Sequence, residues 1–446
     1  MARVWHFVIR SSVALAVLFP MWLGYVVPFV RERRFGARIP DAVWQRKHER
    51  YSKRFLWLAT WMRGGLIKVG QILSTRVDLL PKAWTAGLSP LQDKVTPTPW
   101  PRIENRLRKI YGKPLDEVFE SIDCESVAAA SFGQVHRAVT KDGVPVALKI
   151  KYEDVELKLS VDLWVFGIAV RLFNVFLPRV RLAPIYEEMK RALSTELDYE
   201  QEARFTRIVH RNFIGREGVV IPEVIDALTT RDVICTRFFE GRKITDPTLL
   251  ADPALDRDLL LERLVSTWVS MMYVDGVFQS DPHPGNLLVR IEDGDPILCV
   301  VDFGQVKILP RAFHQKLVGS VMAFAMGNAG YFTDTLIDLG LFPADQKPKV
   351  LPFIEQAMKR IREERDRDRL DFAKARDEVI KLVDGLEGIV VPQELVLYGR
   401  TFALLAGVTR AIHPSANPIA IAQPMLTQAL LSGGPPERPE DLADRA

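Results

Sequence analysis

The sequence predicts an α+β fold. Helical periodicity runs through most of the first 120 residues, and the pattern changes to alternating strands between about residues 121 and 150. From about residue 151 to 215, and again beyond Leu259, the pattern is mainly helical. With 446 residues, 48% of them hydrophobic, the chain is long enough for two or three structural units.

The N-terminal segment is prone to associate with membranes. The stretch from Ser11 to Val30 carries no charged residue and has about the length that a spanning helix needs. Arginines are more frequent after this stretch than before it, which places the rest of the chain in the cytoplasm. Pro20 and Pro28 weaken a straight helix. We therefore expect a single pass or a peripheral, in-plane attachment, and the alternative is a helix packed on the protein.

The extension that follows is expected to be helical. Periodicity predicts a long helix from Trp44 to Leu80, which Pro81 ends. A proline-rich loop then leads into an amphipathic helix that ends near Gly112.

Two segments in the second half carry the residues of a phosphoryl-transfer site. Gln279-Ser-Asp-Pro-His-Pro-Gly-Asn286 places Asp281 five residues before Asn286, and Asp302-Phe-Gly304 follows an apolar run. A protein kinase uses an Asp in its catalytic loop, an Asn five residues later and a second Asp at a strand end. We predict Asp281 as a catalytic residue, and Asn286 and Asp302 as ligands of Mg²⁺ on the phosphates of ATP.

A phosphate-contacting lysine is expected on an upstream strand. Val146-Ala-Leu-Lys-Ile150 fits the kinase strand whose lysine contacts the nucleotide phosphates. Lys151 shares a face with Lys149 because side chains alternate along a strand. We predict Lys149 as the buried catalytic and ATP-binding lysine, since three apolar residues precede it directly.

The expected glycine-rich loop is rich in alanine instead. The five residues expected to line the ATP site there are Ala128, Ala129, Ala130, Ser131 and Gly133. The Cβ of alanine resists positive φ and holds the backbone farther from a phosphate. This departure is expected to change how the nucleotide is handled without removing the site.

The ordered set of motifs resembles the UbiB family of atypical kinases, which includes AarF-like (ADCK) proteins. The matching motifs are Lys68-Val-Gly-Gln71, Ser74-Thr-Arg76, Asp78-Leu-Leu-Pro81, Leu91-Gln-Asp93, Glu196-Leu-Asp198 and Glu202-Ala203. The resemblance runs from about residue 60 to about residue 410. It implies a protein kinase-like two-lobe fold whose helical N-terminal extension carries the Lys-x-Gly-Gln motif and folds over the active-site cleft.

The resemblance also implies roles for residues outside the catalytic loop. Glu202 is implied as the ATP-site partner of the strand lysine, and Lys68, Gln71 and Glu196 as a regulatory group. Gln279 departs from the family, which often carries His there. Its side-chain amide is expected to take over either the aromatic-facing or the backbone-bonding role of that His, and the alternative is that the role is lost.

Five parts are expected along the chain. They are a membrane-prone segment over 1–40, the helical extension over 41–120, a kinase-like N-lobe over 121–240, a helical C-lobe over 241–430 and a disordered tail over 431–446. The separated cysteines Cys124, Cys235 and Cys299 predict buried free thiols in a reducing compartment. The net charge of +4 gives no indication of a nucleic-acid partner.

Together the motifs predict an atypical kinase or ATPase that uses ATP and Mg²⁺. The resemblance implies a role in membrane isoprenoid lipid biosynthesis, most directly of quinones, with lipid or quinone precursors and quinone-biosynthesis enzymes as partners. One alternative is a pseudokinase scaffold gated by nucleotide, against which the intact kinase residues count. The other is a small-molecule phosphotransferase, against which the Lys68 motif and the alanine-rich loop count.

Overall fold

The computed structural model describes residues 2–36, 39–62, 64–75, 80–92, 97–176, 182–365, 392–414, 416, 421–422 and 425–426. The chain divides into two compact units, which are Met1–Gln201 with Val224–Phe238, and Glu202–Glu223 with Phe239–Ala446. The predicted disordered tail and four residues of the predicted signatures, Arg76, Asp78, Leu79 and Asp93, lie outside the described residues.

The helices and strands follow in chain order. The helices are α1 Ala2–Phe35, α2 Asp41–Met62, α3 Gly65–Thr75, α4 Lys82–Leu88, α5 Trp100–Tyr111, α6 Leu115–Val118, α7 Val155–Phe176, α8 Leu182–Thr195, α9 Tyr199–Phe213, α10 Pro247–Leu250, α11 Arg257–Val269, α12 Arg311–Ala325, α13 Ala329–Asp338, α14 Lys347–Arg365 and α15 Gln393–Ile412. The strands are β1 Phe119–Ala129, β2 Gly133–Thr140, β3 Pro145–Lys151, β4 Val219–Val220, β5 Val233–Arg237, β6 Arg242–Lys243, β7 Val277–Gln279, β8 Leu287–Glu292, β9 Asp295–Val300 and β10 Val306–Ile308.

The sheet of the first unit confirms the strands predicted between residues 121 and 150. Its strands run in the order β1-β2-β3-β5, and neighbouring strands are antiparallel. Val146, Leu148 and Ile150 of β3 are fully buried on one face, where they pack with residues of α5 such as Leu107. The alternation of a strand therefore directs the intervening lysines of β3 to the opposite face.

The helices of the first unit differ from the prediction at one place. The single helix predicted from Trp44 to Leu80 is wrong, because α2 ends at Met62 and α3 begins at Gly65. Gly64 adopts a φ of +68°, a left-handed conformation that ends a helix readily. A Cβ at Gly65 would lie 2.7 Å from the side chain of Leu159, so the break allows α3 to pack closely on α7.

The second unit contains a four-stranded sheet and a two-stranded ribbon. The strands of the sheet run in the order β4-β9-β8-β6, and the ribbon consists of β7 and β10. Its core includes the buried side chains of Trp268, Phe278 and Phe303. The helix α11 continues into a π-helical turn over Ser270–Asp275, which leads directly into β7. A π-helical turn is a local distortion that often accompanies functional sites.

Among the described residues, two helices are long and apolar enough to cross a membrane by length and composition, over Val8–Glu32 and Glu394–Ile412. The second of these belongs to α15, whose residues Thr401, Val408 and Ile412 are buried. Val408 and Ile412 pack into the core of the second unit, which explains the apolar character of this helix.

The cysteine prediction is confirmed at two of its three positions. Cys235 and Cys299 are buried, whereas Cys124 is exposed. Burial raises the pKa of the Cys235 thiol to about 12, so this thiol stays protonated and unreactive at neutral pH. Cys124 is exposed because β1 lies at the edge of its sheet and most of its side chains face solvent.

Candidate functional site

The β7–β10 ribbon brings the two acidic motifs of the second unit together. Gln279 at the end of β7 is paired with Val306 at the start of β10. Beyond this pair, the backbone N–H and the hydroxyl of Ser280 both donate to the carbonyl of Gln305, at 2.8 and 2.9 Å. The loop with Asp281 and the loop with Asp302 therefore leave the same end of one ribbon.

Gln279 links these two loops through its side chain. The Nε2 amide is positioned to donate to the backbone carbonyls of Asp281, at 2.9 Å, and of Asp302, at 3.3 Å. The residue is fully buried, and its own carbonyl accepts from the indole Nε1 of Trp268 at 3.0 Å. Of the two roles expected for this amide, the backbone-bonding one is confirmed.

Asp302 is held in a left-handed backbone conformation with φ +64°, just after β9. One of its carboxylate oxygens, Oδ1, accepts from the N–H of Gly304 at 3.1 Å, which closes a tight local turn. A strained non-glycine residue is typical of functional sites. Here the left-handed conformation sets the direction of the Asp302 carboxylate, just beyond the buried strand β9.

Glu202 lies beside this turn. A Cβ at Gly304 would meet Oδ1 of Asp302 at 3.2 Å and Oε2 of Glu202 at 3.4 Å, so the glycine separates two carboxylates. Glu202 is buried on α9. An exposed carboxylate and a buried one on either side of a single glycine favour a bound cation or a cationic side chain.

Asn286 is placed with its amide toward the loop of Asp281. Its Nδ2 donates to the Asp281 carbonyl at 3.3 Å, so the oxygen Oδ1 is the end that can ligate a cation. His283 caps the intervening turn, since its Nδ1 accepts from the N–H of Gly285 at 3.1 Å. An accepting ring nitrogen carries no proton, and His283 is a structural residue here.

Arg400 is a neighbour of Asp281 that the sequence did not predict. Its Nη2 lies 3.8 Å from Oδ1 of Asp281, and the two side chains are 58% and 27% exposed. The next residue on α15, Thr401, is fully buried and donates its hydroxyl to the carbonyl of Ser280 at 3.1 Å. Helix α15 thus places a cation beside the loop of Asp281. The two residues are far apart in the sequence and come together only in the folded chain.

In the first unit, the two lysines of β3 face the ring of Tyr199, as the alternation predicted. The ammonium of Lys149 lies 5.4 Å from the ring centre and that of Lys151 lies 5.0 Å from it. The expectation that Lys149 is the buried member of the pair is wrong. Lys149 is half-buried, whereas the side chain of Lys151 is 2% exposed and pairs with Glu156 at 3.3 Å and Asp232 at 3.8 Å.

The burial of Lys151 belongs to a separate ion network. A cavity of about 340 Å³ lies at the start of α7, and its lining contains three basic and four acidic side chains and none of the predicted site residues. Arg231 pairs there with Glu156 at 2.9 Å, and Arg106 pairs with Asp232 at 3.1 Å. Since these charges neutralise one another, the cavity is an ion-pair network rather than a phosphate site.

The alanine-rich loop is anchored to the helical part of the first unit. Ala128 and Ala129 pair with β2, and the N–H of Ala130 donates to the Gly133 carbonyl at 2.8 Å to close the turn. At the tip, the buried ring of Phe132 packs in the core formed by helices such as α2 and α3. Such anchoring restricts the opening and closing that a glycine-rich loop performs.

The Lys-x-Gly-Gln motif contacts both the alanine-rich loop and Glu196. The ammonium of Lys68 pairs with Oε1 of Glu196 at 2.6 Å, with both side chains partly buried. Gln71 accepts from the hydroxyl of Ser131 at 3.4 Å and donates to the Leu91 carbonyl at 2.8 Å. The motif therefore connects the extension, the α8 end and the alanine-rich loop within the first unit.

The glycine of this motif is required by packing. A Cβ at Gly70 would lie 2.2 Å from Cδ1 of Leu91 and 3.3 Å from the ring of Phe55. Leu91 and Phe55, which belong to other parts of the extension, thus occupy the space that a Cβ at residue 70 would need.

The predicted site residues are distributed over both units. Glu202, Asp281, Asn286 and Asp302 belong to the second unit, and the remaining predicted residues belong to the first. The pairing of Lys149 with Glu202 joins residues of different units and stays a prediction. Within the described residues, no group of three or more His, Cys, Asp or Glu side chains is arranged to hold a metal ion. Mg²⁺ would therefore need the oxygens of Asp302, Asn286 and a nucleotide together.

Comparisons with known proteins agree with these motifs. Residues 90–334, more than half of the chain, match the ABC1 atypical kinase-like domain. AarF domain-containing protein kinase 1 of Gallus gallus is 27% identical over 92% of this chain and 80% of its own. Probable protein kinase UbiB of Shewanella pealeana is 29% identical over 81% of this chain and 67% of its own.

A solved structure is similar in fold. Rv3197 of Mycobacterium tuberculosis, solved in complex with erythromycin, has a TM-score of 0.54 and 24% identity, and the match covers 80% of this chain and 90% of that one. The kinase-like α+β fold with a helical N-terminal region is thereby confirmed. The chain is a member of the ABC1 atypical kinase-like family, which includes the UbiB and AarF-domain proteins.

Proposed function

We propose that this protein binds ATP with Mg²⁺ and catalyses slow phosphoryl transfer or ATP hydrolysis. The observation that carries the proposal is the junction in the second unit where Gln279 bonds to the backbone of both Asp281 and Asp302. This junction, together with Asn286 on the same loop, reproduces the order and chemistry of a kinase site. It supplies one carboxylate for a proton and two oxygen ligands for a cation.

Each residue has a defined task in this proposal. Asp302 and Asn286 hold Mg²⁺, which would neutralise charge on the nucleotide phosphates. Lys149 contacts the phosphates and is oriented by Glu202. Asp281 accepts the proton of the attacking hydroxyl or water, and its carboxylate is partly open to solvent, as a base that meets an acceptor must be.

The anchored alanine-rich loop favours low turnover. Phe132 is buried among the helices and Ser131 bonds to Gln71, so closure over a nucleotide would disturb the extension. The same observation supports a second candidate, a scaffold that binds nucleotide and signals its state without turnover. Lys68, Gln71 and Glu196 are the regulatory group in either case.

The setting of this activity is a membrane. The proposal includes membrane association through the N-terminal region, with the kinase-like part in the cytoplasm, and it is supported by the apolar helix over Val8–Glu32. The family points to isoprenoid lipid and quinone biosynthesis. Lipid or quinone precursors are therefore the first acceptors and ligands to try, and enzymes of that pathway the first partners.

ADP release by the purified full chain on phospholipid vesicles, with and without isoprenoid precursors, tests this function. Wild type should release ADP when Mg²⁺ is present, and Asp281→Asn should reduce the rate at least about tenfold. Asp293→Asn, an exposed turn residue, is the matched control and should match wild type. Equal rates in wild type and Asp281→Asn would contradict the assignment, and bound nucleotide without ADP release would favour the scaffold.

A further inference from the structure

Helix α1 is fastened to the first unit by a buried ion pair. The guanidinium of Arg10 meets both carboxylate oxygens of Asp162 on α7, each at 2.7 Å. A third donor of Arg10 reaches the carbonyl of Met62 at the end of α2, also at 2.7 Å. The side chain of Asp162 has no exposed surface, and it also accepts from the N–H of Leu66.

The contact continues along the length of the helix. Ala14 and Met21, seven residues apart on the same side of α1, are buried in a core that includes residues of α2 and α7. Near the other end, Tyr25 stacks on Trp44 of α2 with ring centres 6.0 Å apart. A helix that crossed a bilayer away from α2 and α7 would lose these contacts and would leave Asp162 buried without its cation.

The opposite side of α1 is apolar and open. Its exposed apolar side chains, spaced three or four residues apart for the most part, are Val8, Ile9, Phe19, Leu23, Val27 and Val30. This spacing places them along one stripe of the helix. The stripe extends over about 33 Å, at about 1.5 Å per residue. Phe19 and Val27 are each 49% exposed, so the stripe can contact a membrane or another protein.

Basic side chains lie at one end of the stripe, and further basic and aromatic side chains are exposed on α2. Arg31 and Arg34 are exposed at the C-terminal end of the stripe. The exposed face of the neighbouring helix α2 carries four further cations, which are Arg46, Arg50, Lys53 and Arg54. On α2, the exposed rings of Trp57 and Trp61 stack on each other at 6.2 Å. Arginine, lysine and tryptophan beside an apolar face are the composition of a helix that lies in a membrane interface.

We propose that α1 lies in the plane of an anionic phospholipid bilayer, with its stripe in the interface and its other side on α2 and α7. This proposal rests on the membrane association proposed above and chooses peripheral attachment over a single pass. Both ends of α1 then stay on the cytoplasmic side. Arg31 and Arg34 at the end of the stripe supply charge complementarity to anionic headgroups, which a protein partner with an apolar groove would not require.

The test measures depth along the helix. In a Cys124→Ser background, which removes the exposed thiol, Ser12→Cys, Phe19→Cys and Val30→Cys are labelled with an environment-sensitive dye. The full chain is then bound to vesicles of phosphatidylcholine with phosphatidylglycerol that contain nitroxide lipids at known depths. We expect the same shallow depth at all three positions. A deep value at residue 19 between two shallow ends would show a spanning helix, and no vesicle binding would equally overturn the proposal.

A matched pair of variants tests the surface itself. The double variant Phe19→Ser/Leu23→Ser should weaken vesicle binding at least about tenfold, because it removes two large apolar contacts. Ile214→Ser, at an exposed apolar position of the second unit, should leave binding unchanged. Equal loss in both would overturn the assignment to α1. Thermal stabilisation by ATP and Mg²⁺, measured on the same samples, reports the proposed nucleotide site separately.

Discussion

Asp275 is a buried carboxylate just before β7. The pH dependence of its ionisation gives a quantitative test of its effect on stability. Asp275 ends the π-helical turn and precedes Gly276, whose φ of +65° starts the turn into β7. Its side chain is 1% exposed, and the nearest cation, on Arg216, is 3.7 Å away. Burial raises the pKa of Asp275 to about 6, although Arg216 and Asn212 oppose the rise.

The cost of this carboxylate depends on pH. A rise of the pKa from 3.8 to about 6 is about 2 units, which corresponds to about 3 kcal/mol. Because the folded-state pKa of Asp275 is the higher one, its contribution to stability is present below pH 4 and is lost as the pH rises through 6. At pH 7.5 the ionised carboxylate is therefore a destabilising group.

Asp275→Asn removes this ionisation while keeping the shape of the side chain. We expect the variant and wild type to be similar at pH 3, below both pKa values of Asp275, and the variant to gain about 3 kcal/mol relative to wild type by pH 7.5. Thermal melts should then show an increase in Tm on the order of 3 °C at pH 7.5, because the entropy of unfolding scales with the 446 residues of the chain. A variant that is less stable at pH 7.5, or a difference that does not change with pH, would show that the Arg216 ion pair outweighs desolvation.

The remaining predictions concern side chains around the candidate site. Gln279→Leu should destabilise the protein by about 1–2 kcal/mol, because two backbone carbonyls lose a buried donor, and should reduce ADP release. Gln279→His should retain more of the stability and more of the ADP release. Lys68→Ala should change ATP turnover or self-phosphorylation with less than about 1 kcal/mol lost in urea unfolding, since its ion pair is partly exposed. A generic peptide substrate should stay unmodified by wild type, and robust peptide phosphorylation with a kinetically silent Lys68→Ala would contradict this role. Arg400→Ala should change the rate of ADP release, because it removes the cation that lies 3.8 Å from Asp281, and an unchanged rate would exclude a role for this contact.

The sequence was sufficient for features that depend on neighbours along the chain. Strand alternation placed Lys149 and Lys151 on one face, and the spacing within one loop placed Asp281 beside Asn286. These relations are short-range, so residue order determines them. The helix break at Gly64 was missed because a single glycine is tolerated in many helices, and only packing against α7 decides the matter here.

Features that depend on distant parts of the chain could not be predicted. Arg400 reaches Asp281 from a helix that follows much later, and nothing near either residue indicates the pairing. The burial of Lys151 depends on Asp232, which arrives with another strand. The anchoring of Phe132 among the helices likewise requires the packed extension. In each case long-range packing selected the partner, and packing leaves no local pattern in sequence.

Whether Asp302 holds the metal of the proposed nucleotide site is decided by comparing three proteins. Thermal stabilisation by ATP is measured with and without Mg²⁺ for wild type, Asp302→Asn and Asp293→Asn. Asp293 is a suitable control because it is exposed and also has positive φ, at +49°, where Asn is tolerated equally. We expect ATP to give Mg²⁺-dependent stabilisation in wild type and Asp293→Asn, and little or none in Asp302→Asn. Equal Mg²⁺-dependent stabilisation in all three would contradict it.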